Sequence, residues 1–110
     1  MLTLPIKKIH YEDIIKRRKL AEYRKDNPYW NKRLDKAESF AEAMAEQQGY
    51  GVYDNDKIIF PILIRNGYNK DSPTSKLMVS RTKAIGIPEW GAVPNEVCNV
   101  LVIHSVERVV

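Results

Sequence analysis

Arg17-Arg18-Lys19-Leu20-Ala21-Glu22-Tyr23-Arg24 is the stretch on which the fold turns. Nearly every residue from Lys16 to Lys25 is a good helix former, so propensity alone continues a helix through it. The apolar spacing argues otherwise, because Leu20, Ala21 and Tyr23 make no stripe with Ile14 and Ile15. Read as a strand from about Leu20 to Arg24, the segment puts Glu22 and Arg24 on one face. A carboxylate and a guanidinium side by side on a strand form a ready-made polar site, and the Arg fork suits phosphate or a base edge. The strand reading rests partly on a family resemblance given below.

Working outward, residues 3–9 read as a first strand, with Pro5 admissible only at an edge or bulge. Tyr11 to Arg18 reads as a short helix that buries Ile14 and Ile15. Asn27-Pro28 is a helix start, Asn as N-cap and Pro in the first turn. Trp30, Leu34, Ala37, Ala41, Met44 and Ala45 follow at helical spacing, and Gly49 is a terminator. One helix, kinked near Asp35, or two in tandem fit this run. Glu38, Glu42 and Glu46 read as its solvated acidic ridge.

The second half reads as β. Lys57 to Arg65 is an apolar strand interrupted by Pro61, Asn66 to Pro73 is dense in turn formers, and a strand with a partly polar face runs through Leu77 to Ile85. Gly86 to Asn95 is a loop, and Val97 to Val106 a last strand whose buried face is Val100, Val102 and Val106. The order indicates α+β. A small sheet that must hide both edges tends to curl into a barrel.

With 110 residues, 44% hydrophobic and 29% charged, the chain is sized for one globular domain. No apolar run reaches the ~20 residues of a membrane helix, and the early lysines do not suit a secretory signal. The single cysteine, Cys98, leaves no internal disulfide and fits a reducing compartment, so a cytoplasmic protein is expected. Charge is unevenly placed. Residues 7–36 hold eleven Lys/Arg against five Asp/Glu, net +6, whereas residues 37–56 carry −5 and the rest +3. One anion-attracting side is one reading, and plain solvated lysines and arginines are the other. His10, His104 and Cys98 make no metal pattern, and Asp54-Asn55-Asp56 reads as a turn and not a calcium loop. No cofactor motif is present.

Ile6-Lys7-Lys8, then Lys19-x-x-Glu22-x-Arg24, Pro28-Tyr29-Trp30 with Arg33, Arg65-Asn66-Gly67-Tyr68 and Pro88-Glu89-Trp90-Gly91-Ala92 form an ordered set. It resembles the ASCH domain family of the PUA-like superfold, most closely its small stand-alone bacterial and phage members, over essentially the whole chain. The resemblance implies an open β-barrel of five to six strands with two to three helices. It also implies a cleft along the Lys-x-x-Glu-x-Arg strand, and binding of RNA or a nucleotide. Some relatives hydrolyse amides on modified nucleosides, and some have been proposed to cleave RNA. This chain departs at two points. Arg17 stands where the motif has glycine, and Glu22 stands where the amide-hydrolysing relatives have threonine, so their covalent chemistry does not carry over.

The expected site residues follow. Lys19, Glu22 and Arg24 make either a binding pocket or a structural ion pair. Lys7 and Lys8 add positive potential at the same mouth or are plain surface lysines. Tyr68 and Trp90, in Gly-rich loops, are stacking candidates, with Tyr29 behind them, while Trp30 reads as core. Arg33 reaches over the cleft, and Asn66 meets an adenine-like edge beside Arg65 or merely makes a turn. The expected partner is single-stranded RNA or a nucleotide. The alternative is a hydrolase of modified nucleosides or RNA with Lys19 as base and Glu22 as its partner. A protein adaptor using the acidic helix is a third reading.

Overall fold

The computed structural model describes residues 1–48, 53–54 and 57–109. Strands β1 (Thr3–Ile6), β2 (Ala21–Lys25), β5 (Phe60–Asn66), β6 (Thr74–Ile85) and β7 (Val97–Val109) form one mixed sheet in the order β1-β5-β6-β7-β2. Helix α1 (Lys8–Ile15) joins β1 to the region before β2, and α2 (Pro28–Gln48) follows β2. The short strands β3 (Tyr53–Asp54) and β4 (Lys57–Ile58) pair separately. The architecture is α+β: a curled five-stranded sheet, a half-barrel, with two helices. Gly49 and the centre of the expected Asp54–Asp56 turn lie outside the described residues.

The core fills the concave side. Leu4 and Ile6 of β1, Phe60, Ile62 and Ile64 of β5, Leu77 and Val79 of β6, and Leu101 and Ile103 of β7 are buried there with Tyr11, Ile14, Leu34 and Ala41 of the helices. The period-2 alternation of β5, buried at Phe60, Ile62 and Ile64, gives one apolar face directly. In the sequence Pro61 suggests an edge strand or a bulge, but β5 lies between β1 and β6 and Pro61 pairs regularly with Met78, on the alternate, half-buried face. Tyr11 ties α1 to the sheet through a 2.9 Å hydrogen bond with the buried Ser75 hydroxyl.

The last strand differs from expectation. Its core residues are Leu101 and Ile103, while Val102 is exposed and Val100 packs in a second, smaller cluster on the opposite face with Ala21 and Cys98. The cause is a register shift between Met78 and Val79, where β6 pairs Met78 with Ser105 but Val79 with Ile103, leaving His104 extra. That bulge flips the side-chain parity, which returns Val106 to the core side. Strict alternation across Val100, Val102 and Val106 therefore assigned two of the three to the wrong side.

Helix α2 runs unbroken past Asp35, which instead salt-bridges to Arg81 on β6. Arg81 Nη1 also meets Glu38 Oε1 at 3.0 Å, so Glu38 belongs to a helix-to-sheet clamp and not to a solvated ridge. Arg81 Nε donates to Asn99 Oδ1 at 2.9 Å, and Asn99 Nδ2 donates to Asn31 Oδ1 and to the Lys25 carbonyl. Asn99 is wholly buried, yet all of these polar groups have partners, which is the condition for tolerating them there.

The decisive stretch turns from helix to strand at Arg17. Arg17 N–H donates to the Ile14 carbonyl and Arg18 N–H to the Asp13 carbonyl at 3.0 and 2.8 Å, the pair of bonds that closes a Schellman end. Arg17 itself has φ 62°, the left-handed conformation that glycine adopts without cost. The backbone there is thus the one a glycine would favour, held by an arginine. Left-handed backbone costs about 1–2 kcal/mol for a residue with a Cβ, while glycine loses about 0.5–1 kcal/mol in chain entropy. Arg17→Gly is expected to stabilise the fold by about 0.5–1 kcal/mol, a rise of a few degrees in Tm. Arg17→Val lowers it, and thermal unfolding followed by circular dichroism checks both.

Candidate functional site

The two edge strands of the half-barrel, β1 and β2, are not paired to each other by backbone. Their seam opens into a cleft of about 550 Å³. Residues of β1 and its ends form one wall, Glu22 to Arg24 of β2 the other, and the start of α2, His10 of α1, Tyr68 and Trp90 close the rim.

At the floor lies a charged triad. Lys19 Nζ donates to Glu22 Oε1 at 2.8 Å, and Arg24 Nη1 donates to Glu22 Oε2 at 3.0 Å. The Tyr23 backbone N–H also donates to Glu22 Oε1, at 3.1 Å. Both carboxylate oxygens are therefore engaged. Arg24 reaches further: Nη1 donates to the Tyr23 carbonyl at 2.8 Å and Nη2 to the Pro5 carbonyl at 3.1 Å. The last bond crosses the seam, so Arg24 staples β2 to β1.

Burial sharpens the electrostatics. Lys19 is 1% exposed and Glu22 4%. Burial alone would push the Glu22 carboxyl up, but Arg24 and Lys19 beside it outweigh that and hold it below the ordinary carboxylate range. Lys19 also lies 5.8 Å from the centre of the Tyr23 ring. Counting Lys7, Lys19, Arg24 and Arg33 against Glu22, the cleft lining carries a net +3. Low-dielectric walls of one sign concentrate that potential on an anion.

The aromatic side is equally ordered. The Arg33 guanidinium stacks 3.5 Å from the Tyr29 ring centre, and Tyr29 packs edge-on against Trp30. Arg24 lies 5.1 Å over Trp30. Tyr68 is 82% exposed at the rim. Trp90 sits on a short 3₁₀ turn, Pro88–Trp90, that packs against β2. Gly86 permits this approach: a Cβ there would come within 2.7 Å of both Ala92 Cβ and Tyr23 Cε1. The Tyr23 hydroxyl accepts from Ile87 N–H at 3.1 Å and fixes the same loop.

Of the residues expected from the sequence, Lys19, Glu22, Arg24, Tyr29, Arg33, Tyr68 and Trp90 line this one cleft. Lys8, Arg65 and Asn66 do not. Lys8 begins α1 and points to solvent, 4.0 Å from Glu12 one turn on. Arg65 falls on the face of β5 opposite Ile64, and Asn66 ends that strand. Asn66 N–H donates to the Pro73 carbonyl, which is turn chemistry.

Lys7 lines the cleft where Lys8 does not, His10 and Tyr23 line it without having been expected to, and Trp30 both lines it and packs on the core as expected. His10 was legible in principle, since it precedes Ile14 by one helical turn on α1. It was missed because no capping residue marks the start of α1 at Lys8, where Lys7 makes no side-chain cap. Burial, with Lys19 adding to it, holds the His10 pKa below its ordinary value. Among the described residues no group of three His, Cys, Asp or Glu is placed to hold a metal ion. Cys98 is no activated nucleophile, because burial pushes its thiol pKa up.

Removing Glu22 leaves Lys19 as an uncompensated buried cation. Glu22→Ala is expected to cost about 3–5 kcal/mol in chemical denaturation, and Glu22→Gln less. The Glu22 pKa is depressed on folding, so its contribution is complete above the ordinary value of 4.5 and lost as pH falls through the folded value. The stability of Glu22→Gln is accordingly flatter than that of the unsubstituted protein below that pH.

No protein family model, no curated protein and no solved structure matches this chain.

Proposed function

We propose that the chain is an RNA- or nucleotide-binding module of the ASCH type, its half-barrel a version of the PUA-like superfold. The observation that carries this reading is the seam cleft: a net +3 lining with Tyr29, Tyr68 and Trp90 around it. Phosphate would meet the N–H groups of Arg24 that Glu22 and the backbone leave uncommitted, with Lys7 and Arg33 above and the buried Lys19 contributing its charge from below. Bases would stack on the rim aromatics, each worth about 1–3 kcal/mol. Glu22 acts as the positioning residue, fixing two cations that would otherwise repel.

The hydrolase reading has less support. The base in that reading is Lys19 with Glu22 as its partner, and Lys19 instead donates to Glu22 Oε1 in a triad whose carboxylate also holds Arg24 and the Tyr23 N–H. The adaptor reading loses one of its three glutamates, because Glu38 is committed to Arg81. No helix among the described residues is long and apolar enough to cross a membrane.

Tryptophan emission titrated with short oligoribonucleotides tests the proposal, since Trp30 and Trp90 both line the cleft. Emission is expected to change, and log affinity to fall with log salt by about 0.7 per phosphate held. Arg33→Ala weakens binding and reduces that slope. An emission unchanged at low salt refutes the reading.

His10 gives a second, independent check. Burial and then Lys19 hold its pKa down in the free protein, and Lys7, Glu22 and Asp13 also act on it. A bound phosphodiester opposes the neighbouring cations and raises the His10 pKa, so binding takes up a proton. Affinity for an oligonucleotide without terminal phosphates is expected to rise as pH falls from about 8 to about 6. His10→Gln removes that dependence. Terminal phosphates are avoided because their second pKa, about 6, would titrate in the same range.

A further inference from the structure

A second hollow adjoins the cleft. It measures about 530 Å³ and shares Leu2 and Arg33 with the first. Its character differs: Met1, Phe40 and Pro61 make it mainly apolar, and its charged residues are the cations Arg33 and Lys36. Phe40 is 69% exposed, an unusual position for a large apolar ring unless something covers it.

The helix between the two hollows carries a pattern. Tyr29, Arg33, Lys36 and Phe40 stand at spacings of four, three and four residues on α2, which places them in one line along the helix. All four are exposed. The line is separate from the buried face, Leu34, Ala41 and Ala45, and from the side that carries Asp35 and Glu38 to Arg81. It reads aromatic, cation, cation, aromatic. Arg33 stands at the junction of the hollows with its guanidinium stacked on Tyr29.

We propose that a single RNA strand occupies both hollows. It leaves the seam cleft at Arg33 and follows α2, with its backbone on Arg33 and Lys36 and a following base stacked on Phe40. This rests on the nucleic-acid reading of the cleft and extends it from one nucleotide to a run of them. Charge complementarity selects the occupant. Among the described residues, the lining of the two hollows together has Glu22 as its single carboxylate, and that group is already engaged on both oxygens. Flat aromatic surfaces spaced by cations are what a strand of alternating bases and phosphates requires. A purely apolar partner would leave Arg33 and Lys36 without anions.

The test compares uridine 5′-monophosphate with hexauridylate on the whole chain, by calorimetry or competition. The hexamer is expected to bind at least about tenfold more tightly than the monomer. Phe40→Ala weakens the hexamer about 5- to 100-fold and leaves the monomer unchanged. Lys36→Ala lowers the salt slope of the hexamer by about 0.7, again without touching the monomer. Phe40 is exposed and alanine favours helix, so circular dichroism should show the fold intact. Equal affinity for monomer and hexamer, or a hexamer indifferent to Phe40→Ala, confines the ligand to the seam and overturns the track. A concentration-dependent dimer in sedimentation that Phe40→Ala abolishes, with hexamer affinity unchanged, assigns the second hollow to another copy and overturns it too. If neither nucleotide binds, the cleft reading itself falls and takes the track with it.

Discussion

A five-stranded sheet curled this far has two free edges facing one another, and side chains must hold them at the right separation. Here the Glu22 carboxylate is the pivot. It gathers Lys19 from the chain before β2 and Arg24 from β2 itself, and Arg24 extends across to the carbonyl of Pro5 on β1. One buried anion thus fixes two cations, and one of those cations fixes the opposite edge. The arrangement leaves positive charge in excess at the floor, so the same contacts that hold the seam make it attractive to anions. A buried ion pair is weak grounds for stability by itself, since desolvation offsets much of the attraction. Its value here lies in placing donors toward an opening while a cavity is kept.

The helix that borders the opening is held by a second polar device. Arg81, Asn99 and Asn31 link the first turns of α2 to β6, to β7 and to the end of β2. Leu34 and Ala41 anchor the same helix to the apolar core. An apolar contact tolerates sliding, whereas a buried Asn with every group satisfied specifies one register. Tyr29, Trp30 and Arg33 therefore meet the cleft from a helix whose rotation and depth are both fixed.

Much of this was legible in the sequence. The Asn27-Pro28 start, the apolar run of β5 and the α+β order follow from spacing and propensity, whereas the strand that sets Glu22 beside Arg24 ran against helix propensity and rested on apolar spacing and the family resemblance. Three things were not. The β7 bulge at His104 depends on pairing with Met78 and Val79 of β6, far off in the chain, which no local pattern encodes. The fate of Glu38 depended on Arg81, forty-three residues on, so a regular acidic spacing looked like a solvated face. The start of α1 was obscured because Lys7 offers no cap, and His10 was misplaced with it. For the bulge and for Glu38 a long-range partner overrode the local spacing, and for α1 a local marker was absent.

Pro5 has a consequence beyond its strand. Leu2 and Ile6 turn their carbonyls toward β5, so the intervening position faces the seam. Proline has no N–H to offer there, and its carbonyl is already taken by Arg24. An incoming extended chain would find neither donor nor acceptor at the midpoint of that border and could not zip onto it as a sixth strand. That stretch of β1 is thereby a poor template for a further strand, and the border is closed by a side chain instead of by backbone pairing.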